Sequence, residues 1–140
     1  MIPAKPDVVV LDGNGILHPR RMGVASHFGI LANQATIGCA KSILYGENHV
    51  PDKIRLSHAE IRSHRELLGF ALRTKFNCKP VYVSAGHLIT QHQSLEIMKK
   101  CCGNYRIPEP TRIAHEIVNK FRLGHYLPGH YEIEQPLTLF

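Results

Sequence analysis

A carboxylate and a group of basic side chains lie close together near the beginning of the chain. Asp12 directly follows the apolar run at residues 8–11, and His18, Arg20 and Arg21 come after a short loop that contains glycine. Carboxylate oxygens are ligands that hard cations such as Mg²⁺ prefer, and guanidinium groups hold phosphate oxygens through charge-assisted hydrogen bonds. The spacing therefore predicts a site that handles a metal ion and a phosphate.

The apolar run before Asp12 is typical of a strand that is buried on both faces of a parallel or mixed sheet. Ligands of such sheets gather beyond the carboxyl ends of the strands, where Asp12 falls. Gly13 and Gly15 allow a tight turn and a close approach of a ligand to the backbone. An Asp-Gly turn after a strand is also common without any catalytic role, so both interpretations stay open on these residues alone.

The composition favours one domain with a polyanionic partner. A chain of 140 residues with 44% hydrophobic residues can bury a single core. Lys and Arg number 17 against 11 Asp and Glu, which gives a net charge of +6. This charge suits a polyanion, although solubility alone also explains a mild excess.

The cysteines and the apolar runs indicate the compartment. The four cysteines lack C-x-x-C spacing and form a poor disulfide framework, which predicts a reduced, cytoplasmic protein. No apolar run approaches about 18 residues, and the first residues lack the apolar segment of a signal peptide. We therefore expect neither membrane insertion nor export.

Strand and helix signals alternate along the chain, which is typical of an α/β fold. We predict strands at residues 7–12, 35–40, 68–74 and 80–85, and helices at residues 22–33, 90–102 and 111–122. The last two strands are separated by a turn and should form a hairpin. In residues 45–66 the pattern Ser57-x-x-Glu60 resembles a capping box, but the flanking residues lack a helical stripe, so a helix there stays an open alternative.

Apolar spacing predicts which faces of two helices are buried. In the helix at 22–33 the inward residues should be Val24, Phe28 and Leu31. In the last helix they should be Ile113, Ile117, Val118 and Phe121. Residues 123–140 contain Pro128, Gly129 and Pro136 and are expected to form an extended tail.

Four motifs follow one another along the chain: DGNGILHPRRMGVASHFGIL, TIGCAK, KPVYVSAGH and YRIPEPTRIAH. In this order they resemble the endonuclease V family of deoxyinosine 3′-endonucleases. The resemblance covers residues 6–121. It implies an α/β, RNase H-like mixed sheet flanked by helices and a Mg²⁺ site, with Mn²⁺ as a substitute. It also implies hydrolysis of the second phosphodiester bond 3′ to (deoxy)inosine, and the choice between DNA and RNA stays open because contacts to a 2′-hydroxyl cannot be recognised from the sequence.

The resemblance also implies roles for single residues. Asp12 matches a metal-binding carboxylate, Lys41 matches the active-site lysine near the scissile phosphate, and His115 matches the active-site histidine. Residues that match the pocket for the extruded base are Gly13, His18, Gly23 and Gly38. Judged by residue type alone, Lys41 is more consistent with a solvated strand end. His115 is also consistent with a half-buried packing residue, although the adjacent PEPTR sequence favours the functional role.

The family also carries upstream antiparallel strands with a second metal-binding aspartate, a glutamate and a wedge loop, and the chain has none of these before residue 7. We therefore expect residues 1–122 to be an endonuclease V-like domain that is incomplete at its N-terminus, with weak Mg²⁺ binding and impaired cleavage. Glu109 and Asp52 are the nearest substitutes for the missing carboxylates.

Two alternatives follow from that expectation. The chain is either a noncatalytic module that binds inosine or nucleic acid, or half of a split enzyme that another chain completes. We further expect the strand at 7–12 to lack a neighbour, so that the chain self-associates or needs a complementing N-terminal segment.

Overall fold

Six strands and three helices make up residues 4–126, which are the residues that the computed structural model describes. The strands are β1 (Val9–Leu11), β2 (Thr36–Ala40), β3 (Glu47–Asn48), β4 (His58–Ser63), β5 (Glu66–Leu72) and β6 (Val81–His87). The helices are α1 (Val24–Ala32), α2 (Gln91–Lys100) and α3 (Glu109–Arg122). The sheet order is β1-β2-β6-β5-β4-β3, with β1 parallel to β2 and the other pairs antiparallel. The predicted α/β class with a mixed, helix-flanked sheet is confirmed.

The centre of the sheet carries the core. All five residues of β2 are buried, and β2 lies between β1 and β6. One face of β2, β5 and β6 packs against α2 through an apolar cluster that includes Ile37, Phe70, Val83, Leu95 and Met98. The predicted hairpin of β5 and β6 is confirmed by their antiparallel pairing.

β1 is shorter and less buried than the sequence suggested. Its three residues, Val9–Leu11, are all of intermediate exposure, so the prediction of a strand buried on both faces is wrong. The reason is its position, because β1 is an edge strand among the described residues and has β2 as its neighbour there.

α1 presents a different face to the sheet from the one predicted. The residues predicted to point inward are 42–77% exposed: Val24, Phe28 and Leu31. The buried residues are the small ones, Ala25, Ser26 and Gly29. A Cβ at Gly29 would lie 2.5 Å from the His87 Cβ and 2.5 Å from the Thr36 Oγ1. The helix therefore approaches the sheet too closely for large side chains.

The predicted alternative of a helix in residues 45–66 is wrong, because β3 and β4 occupy this region. Ser57 does not cap a helix, since its hydroxyl donates to the carbonyls of Asp52 and Ile54. Glu60 is the ion-pair partner of Arg62, with 2.6 Å between the Arg62 Nε and the Glu60 Oε2. β4 is held instead by antiparallel pairing with β5.

α2 and α3 differ in how well the sequence predicted them. The capping box at α2 is confirmed, since the Thr90 hydroxyl accepts from the Gln93 N–H and the Gln93 side chain accepts from the Thr90 N–H. The inward stripe of α3 is partly wrong, because Val118 and Phe121 are exposed. Thr111, in the first turn, is the residue of α3 that is buried, so the helix reaches the core through its beginning.

Residues 127–140, which include most of the predicted tail, lie outside the described residues. Within residues 4–126, no helix has the length and apolar character that crossing a membrane requires.

We expect the chain to self-associate through the open side of β1. Val9 donates its N–H to the Ala35 carbonyl at 2.9 Å, so the N–H of Val10, one residue later in the strand, points away from β2. An unpaired strand edge invites pairing with another chain. Sedimentation at micromolar concentration measures the association, and Val10→Pro should shift the protein toward the monomer because it removes this donor.

Val50→Pro is the control for that experiment, since Val50 is exposed and lies outside the strands. It should leave the sedimentation profile unchanged. A monodisperse, cooperatively melting monomer for the unaltered chain would contradict the expectation.

Candidate active site

Asp12 and Lys41 meet at one edge of the sheet. Asp12 follows β1 and Lys41 follows β2, and because the two strands are parallel their carboxyl ends lie side by side. The Lys41 Nζ lies 3.0 Å from the Asp12 Oδ2, and each side chain is nearly half exposed. The structure therefore brings together the two residues for which the sequence predicted metal and phosphate chemistry.

An arginine that the sequence analysis did not single out holds the backbone at this edge. The Arg106 Nη2 donates to the carbonyls of Lys41 and Pro80 at 2.9 and 3.0 Å, and its Nε donates to the carbonyl of Lys79 at 2.9 Å. The carbonyl of Arg106 itself accepts from the hydroxyl of buried Thr74 at 2.5 Å. The only sequence signal for Arg106 was its place within the motif YRIPEPTRIAH.

The loop after Asp12 packs against its neighbours through backbone atoms. A Cβ at Gly38 would lie 2.4 Å from the Gly15 nitrogen, and a Cβ at Gly23 would lie 2.2 Å from the Asn14 carbonyl oxygen. A Cβ at Gly15 would lie 2.1 Å from the Ala85 carbonyl oxygen. The glycines at 23 and 38 thus let β2 and the start of α1 contact this loop directly, and their role in a base pocket stays a prediction.

Hydrogen bonds fix the same loop to β6. The Gly15 N–H donates to the buried Ser84 hydroxyl at 2.8 Å, and the Ile16 N–H donates to the Ala85 carbonyl at 2.8 Å. Leu17 is fully buried. Ser84 is a second positioning residue that the sequence analysis did not identify, although it lies in the motif KPVYVSAGH.

His18 is held in one orientation by its own loop. The Arg20 N–H donates to the His18 Nδ1 at 3.1 Å, so in the neutral ring the proton is on Nε2 and this atom is a donor. The guanidinium of Arg20 is exposed and makes no hydrogen bond or ion pair within residues 4–126. Both side chains are therefore available to a ligand.

Arg21 has structural partners. Its Nε and Nη2 donate to the Glu66 Oε2 at 2.9 and 2.7 Å, and its Nη1 donates to the carbonyls of His18 and Pro19. The guanidinium also lies 5.3 Å from the centroid of the Tyr45 ring. The hydrogen bond from Arg21 lowers the pKa of Glu66, and the same bond raises the pKa of Arg21. Arg21 thus ties the loop that carries His18 to the start of β5.

His115 lies on α3, which packs against β1. Its side chain is exposed, and the His115 Nε2 lies 2.9 Å from the Asn119 Nδ2. Within the described residues, no hydrogen bond joins His115 to Asp12 or Lys41. Its role as an active-site histidine therefore stays a prediction.

The described residues do not form a metal site by themselves. No group of three or more His, Cys, Asp or Glu side chains within residues 4–126 is arranged to hold an ion. Of the two predicted substitutes, Glu109 is bonded to Arg112, with 2.6 Å between the Glu109 Oε2 and the Arg112 Nη2, and Asp52 has an exposed side chain. Asp12 is thus a single carboxylate that is already paired with Lys41, and by itself it does not make a site for Mg²⁺ or Mn²⁺.

The thiol nearest in sequence to this edge is inert. Cys39 lies in β2, two residues before Lys41, and it is buried. Burial raises the pKa of the Cys39 thiol to about 12. The thiol is therefore protonated at neutral pH, which disfavours it as a nucleophile.

Comparison with known proteins places the chain among enzymes of one kind. The family model described as Endonuclease V matches residues 1–116. Endonuclease V of Dictyoglomus thermophilum is 48% identical over 125 residues, which cover 89% of this chain and 54% of the relative. Endonuclease V of Methanothrix thermoacetophila is 49% identical over 109 residues, which cover 78% and 49%. The chain spans about half the length of the relatives it matches.

Solved structures of endonuclease V proteins also resemble this chain. Endonuclease V of Streptomyces avermitilis has a TM-score of 0.80 and 36% identity, covering 88% of this chain and 54% of that one. Endonuclease V of Ciona intestinalis, solved with a 24mer DNA containing an inosine followed by a ribo-adenosine, has a TM-score of 0.73 and 32% identity, covering 86% and 56%. These likenesses agree with the RNase H-like fold that the motifs implied.

Gly38→Ala tests the backbone packing behind Asp12. The new methyl group would meet backbone atoms of the loop, which can yield only if the loop itself shifts. We expect a loss of about 1–3 kcal/mol in the free energy of unfolding, as for other overpacked sites, measured by urea denaturation. Gly103→Ala is the control, since the atoms nearest to its methyl belong to the Glu109 side chain, which can move more easily than backbone. Equal losses in the two variants would contradict the assignment.

Glu66→Gln tests the anchor of Arg21 through its pH dependence. Because the folded-state pKa of Glu66 lies below its usual value of 4.5, the ion pair stabilises the folded chain above that value. This contribution is lost as the pH falls through the lowered pKa. We expect the unaltered chain to be more stable than the variant at neutral pH, and urea denaturation to show the two converging in acid. If the two free energies of unfolding still differ in acid, the effect of Glu66→Gln comes from packing and not from the ion pair.

Proposed function

The chain belongs to the endonuclease V family, and on that basis we propose that it binds DNA or RNA containing (deoxy)inosine and carries part of an endonuclease site. The proposed reaction is hydrolysis of the second phosphodiester bond 3′ to the inosine. The observation that supports this most is the Lys41–Asp12 pair, with 3.0 Å between the Lys41 Nζ and the Asp12 Oδ2, at the carboxyl ends of two parallel strands.

Lys41 is suited to hold the scissile phosphate. An ammonium group has three donors, and the structure uses one of them for Asp12. The remaining donors and the partial exposure of Lys41 leave it accessible to phosphate oxygens. A positive charge fixed at this place stabilises the negative charge that develops on the phosphate during hydrolysis. Arg20, exposed and without a partner in residues 4–126, supplies a second contact to the nucleic-acid backbone.

The loop at 13–18 is suited to recognise an extruded base. Enzymes that act next to a single base commonly take it out of the stack and recognise it by hydrogen bonds at close range. Gly13, Gly23 and Gly38 contribute no side chains of their own here, although the Val24 side chain lies against Gly13, and His18 offers an Nε2–H donor. Hypoxanthine presents the acceptor O6 where adenine presents an amino donor, so a donor here favours hypoxanthine.

The metal and His115 stay proposals that rest on the family. Endonuclease V resemblance implies Mg²⁺ or Mn²⁺, and Asp12 is the residue of this chain that would contribute a carboxylate oxygen. His115 is proposed as an active-site histidine because α3, which carries it, packs against β1. All four cysteines are free thiols, which supports a reducing, cytoplasmic location as part of the same proposal.

A second candidate function is binding without cleavage, either as an inosine-binding module or as half of a split enzyme that another chain completes. The single carboxylate at the site favours this candidate, because within residues 4–126 no other acidic residue joins Asp12 in a cluster that could hold an ion. Base recognition and phosphate binding do not need that cluster.

Oligonucleotide binding tests the proposal. Matched oligonucleotides with deoxyinosine or deoxyadenosine at one position are titrated by fluorescence anisotropy, and we expect tighter binding to the inosine strand. Lys41→Ala should weaken binding to both strands and reduce the slope of affinity against salt by about one, as expected for a phosphate contact. Lys99→Ala is the control, because the Lys99 Nζ lies at the same 3.0 Å distance from a carboxylate oxygen of Glu96 on α2.

Cleavage separates the two candidates. The same oligonucleotides are incubated with Mg²⁺, and we expect little cutting by the chain alone because one carboxylate positions an ion poorly. Robust cutting that Asp12→Asn abolishes would establish the enzyme and reject the binding module. Equal affinity for the inosine and adenosine strands would contradict both candidates.

A further inference from the structure

We propose that Arg106 is the positioning residue of Lys41: it clamps the Lys41 carbonyl so that the ammonium is presented beside Asp12. This inference rests on the proposed function for the role of Lys41, but the geometry that it concerns is independent of any ligand. The Arg106 Nη2 lies 2.9 Å from the Lys41 carbonyl oxygen, although the two residues are 65 positions apart.

Lys41 needs such a clamp because it lies just beyond the sheet. The last pair between β2 and β6 joins Ala40 to Tyr82. Lys41 follows this pair, so its peptide group is not held by the strand pairing that fixes β2. The exposed residues Ser42 and Ile43 come next. The hydrogen bond from Arg106 therefore holds the Lys41 peptide group at a place where strand pairing no longer holds it.

Arg106 is well placed to fix that carbonyl rigidly. The same guanidinium donates to the carbonyls of Lys79 and Pro80, which lead into β6. The planar guanidinium offers several donors in a fixed geometry, which a lysine cannot reproduce. The backbone of Arg106 is itself held, because its carbonyl accepts from the hydroxyl of Thr74, which is fully buried.

The partners of Arg106 are carbonyl groups, and within residues 4–126 it forms no ion pair with a carboxylate. An arginine that served a surface salt bridge would have an acidic partner, as Arg112 has in Glu109. The bonds of the Arg106 guanidinium instead join two backbone segments, residues 79–80 and the segment that carries Lys41, to the segment of Arg106 itself. Its charge is also left to add to the positive field around that residue.

Reactivity of the Lys41 amine tests the inference without any nucleic acid. The full chain is acetylated with an amine-reactive ester for a short time, and labelling of each lysine is measured by peptide mass spectrometry. We expect Arg106→Gln to raise labelling of Lys41 by about two- to fivefold, since an exposed ion pair protects its amine only modestly. Labelling of Lys99, paired with Glu96, should stay unchanged.

A double-mutant cycle shows whether Arg106 acts through the pair. Asp12→Asn frees the ammonium directly, so adding Arg106→Gln should raise Lys41 labelling no further. Additive effects would overturn the inference, and so would unchanged labelling in Arg106→Gln. Arg55→Gln is the matched control, because the Arg55 Nη2 donates to the Cys102 carbonyl at the same 2.9 Å. It should leave Lys41 labelling as in the unaltered chain.

Arg106→Lys guards against a variant that does not fold. If labelling rises at Lys99 as well as at Lys41 in Arg106→Gln, the fold has been lost and the conservative variant decides. A selective but smaller rise at Lys41 in Arg106→Lys supports the inference, and no rise overturns it. Inosine oligonucleotide binding is measured in parallel, so that a chain with a responsive Lys41 but no affinity for inosine rejects the proposed function alone.

Discussion

Direct contact between backbone atoms is the constraint on which the candidate site depends. The loop after β1 touches β2, β6 and the start of α1 so closely that a single Cβ at Gly15, Gly23 or Gly38 would overlap main-chain atoms. Parallel pairing sets the distance between the ends of β1 and β2, and the close packing holds the loop against both. The Asp12–Lys41 pair is a consequence of that spacing, since each residue directly follows its strand.

The groups that hold the site are largely distinct from the groups that are offered to a ligand. Three interactions fix the backbone around the site. Arg106 donates to carbonyl groups, the Ser84 hydroxyl accepts from the Gly15 N–H, and Arg21 pairs with Glu66. Lys41 and His18 keep donors that the protein does not use. A site built in this way is preorganised, because binding a phosphate does not require the scaffold to give up its own hydrogen bonds.

Sequence patterns correctly predicted those features that depend on residues close together in the chain. The capping box at Thr90 and the presence of a strand before Asp12 depend on neighbours in sequence, and both were recognised, although β1 is shorter than predicted. The buried face of α1 was predicted wrongly. The stripe of large apolar residues is exposed, and the face with small residues around Gly29 packs against the sheet, because only small residues fit the close approach to β2 and β6. The sequence from Ser57 to Glu60 fits a capping box, but the residues that follow Ser57 form β4, which pairs with β5. The role of Arg106 depends on partners up to 65 residues away, which no spacing rule captures.

The order of the strands has a consequence for how the chain reaches its folded state. β4, β5 and β6 form a meander of neighbours in sequence, whereas β2 must find β6 across the whole meander and β1 joins β2 around α1. Contacts between distant segments carry the larger loop-closure cost and generally form late. A chain arrested with only the meander in place therefore lacks the Asp12–Lys41 pair, because that pair forms only when β1 lies beside β2.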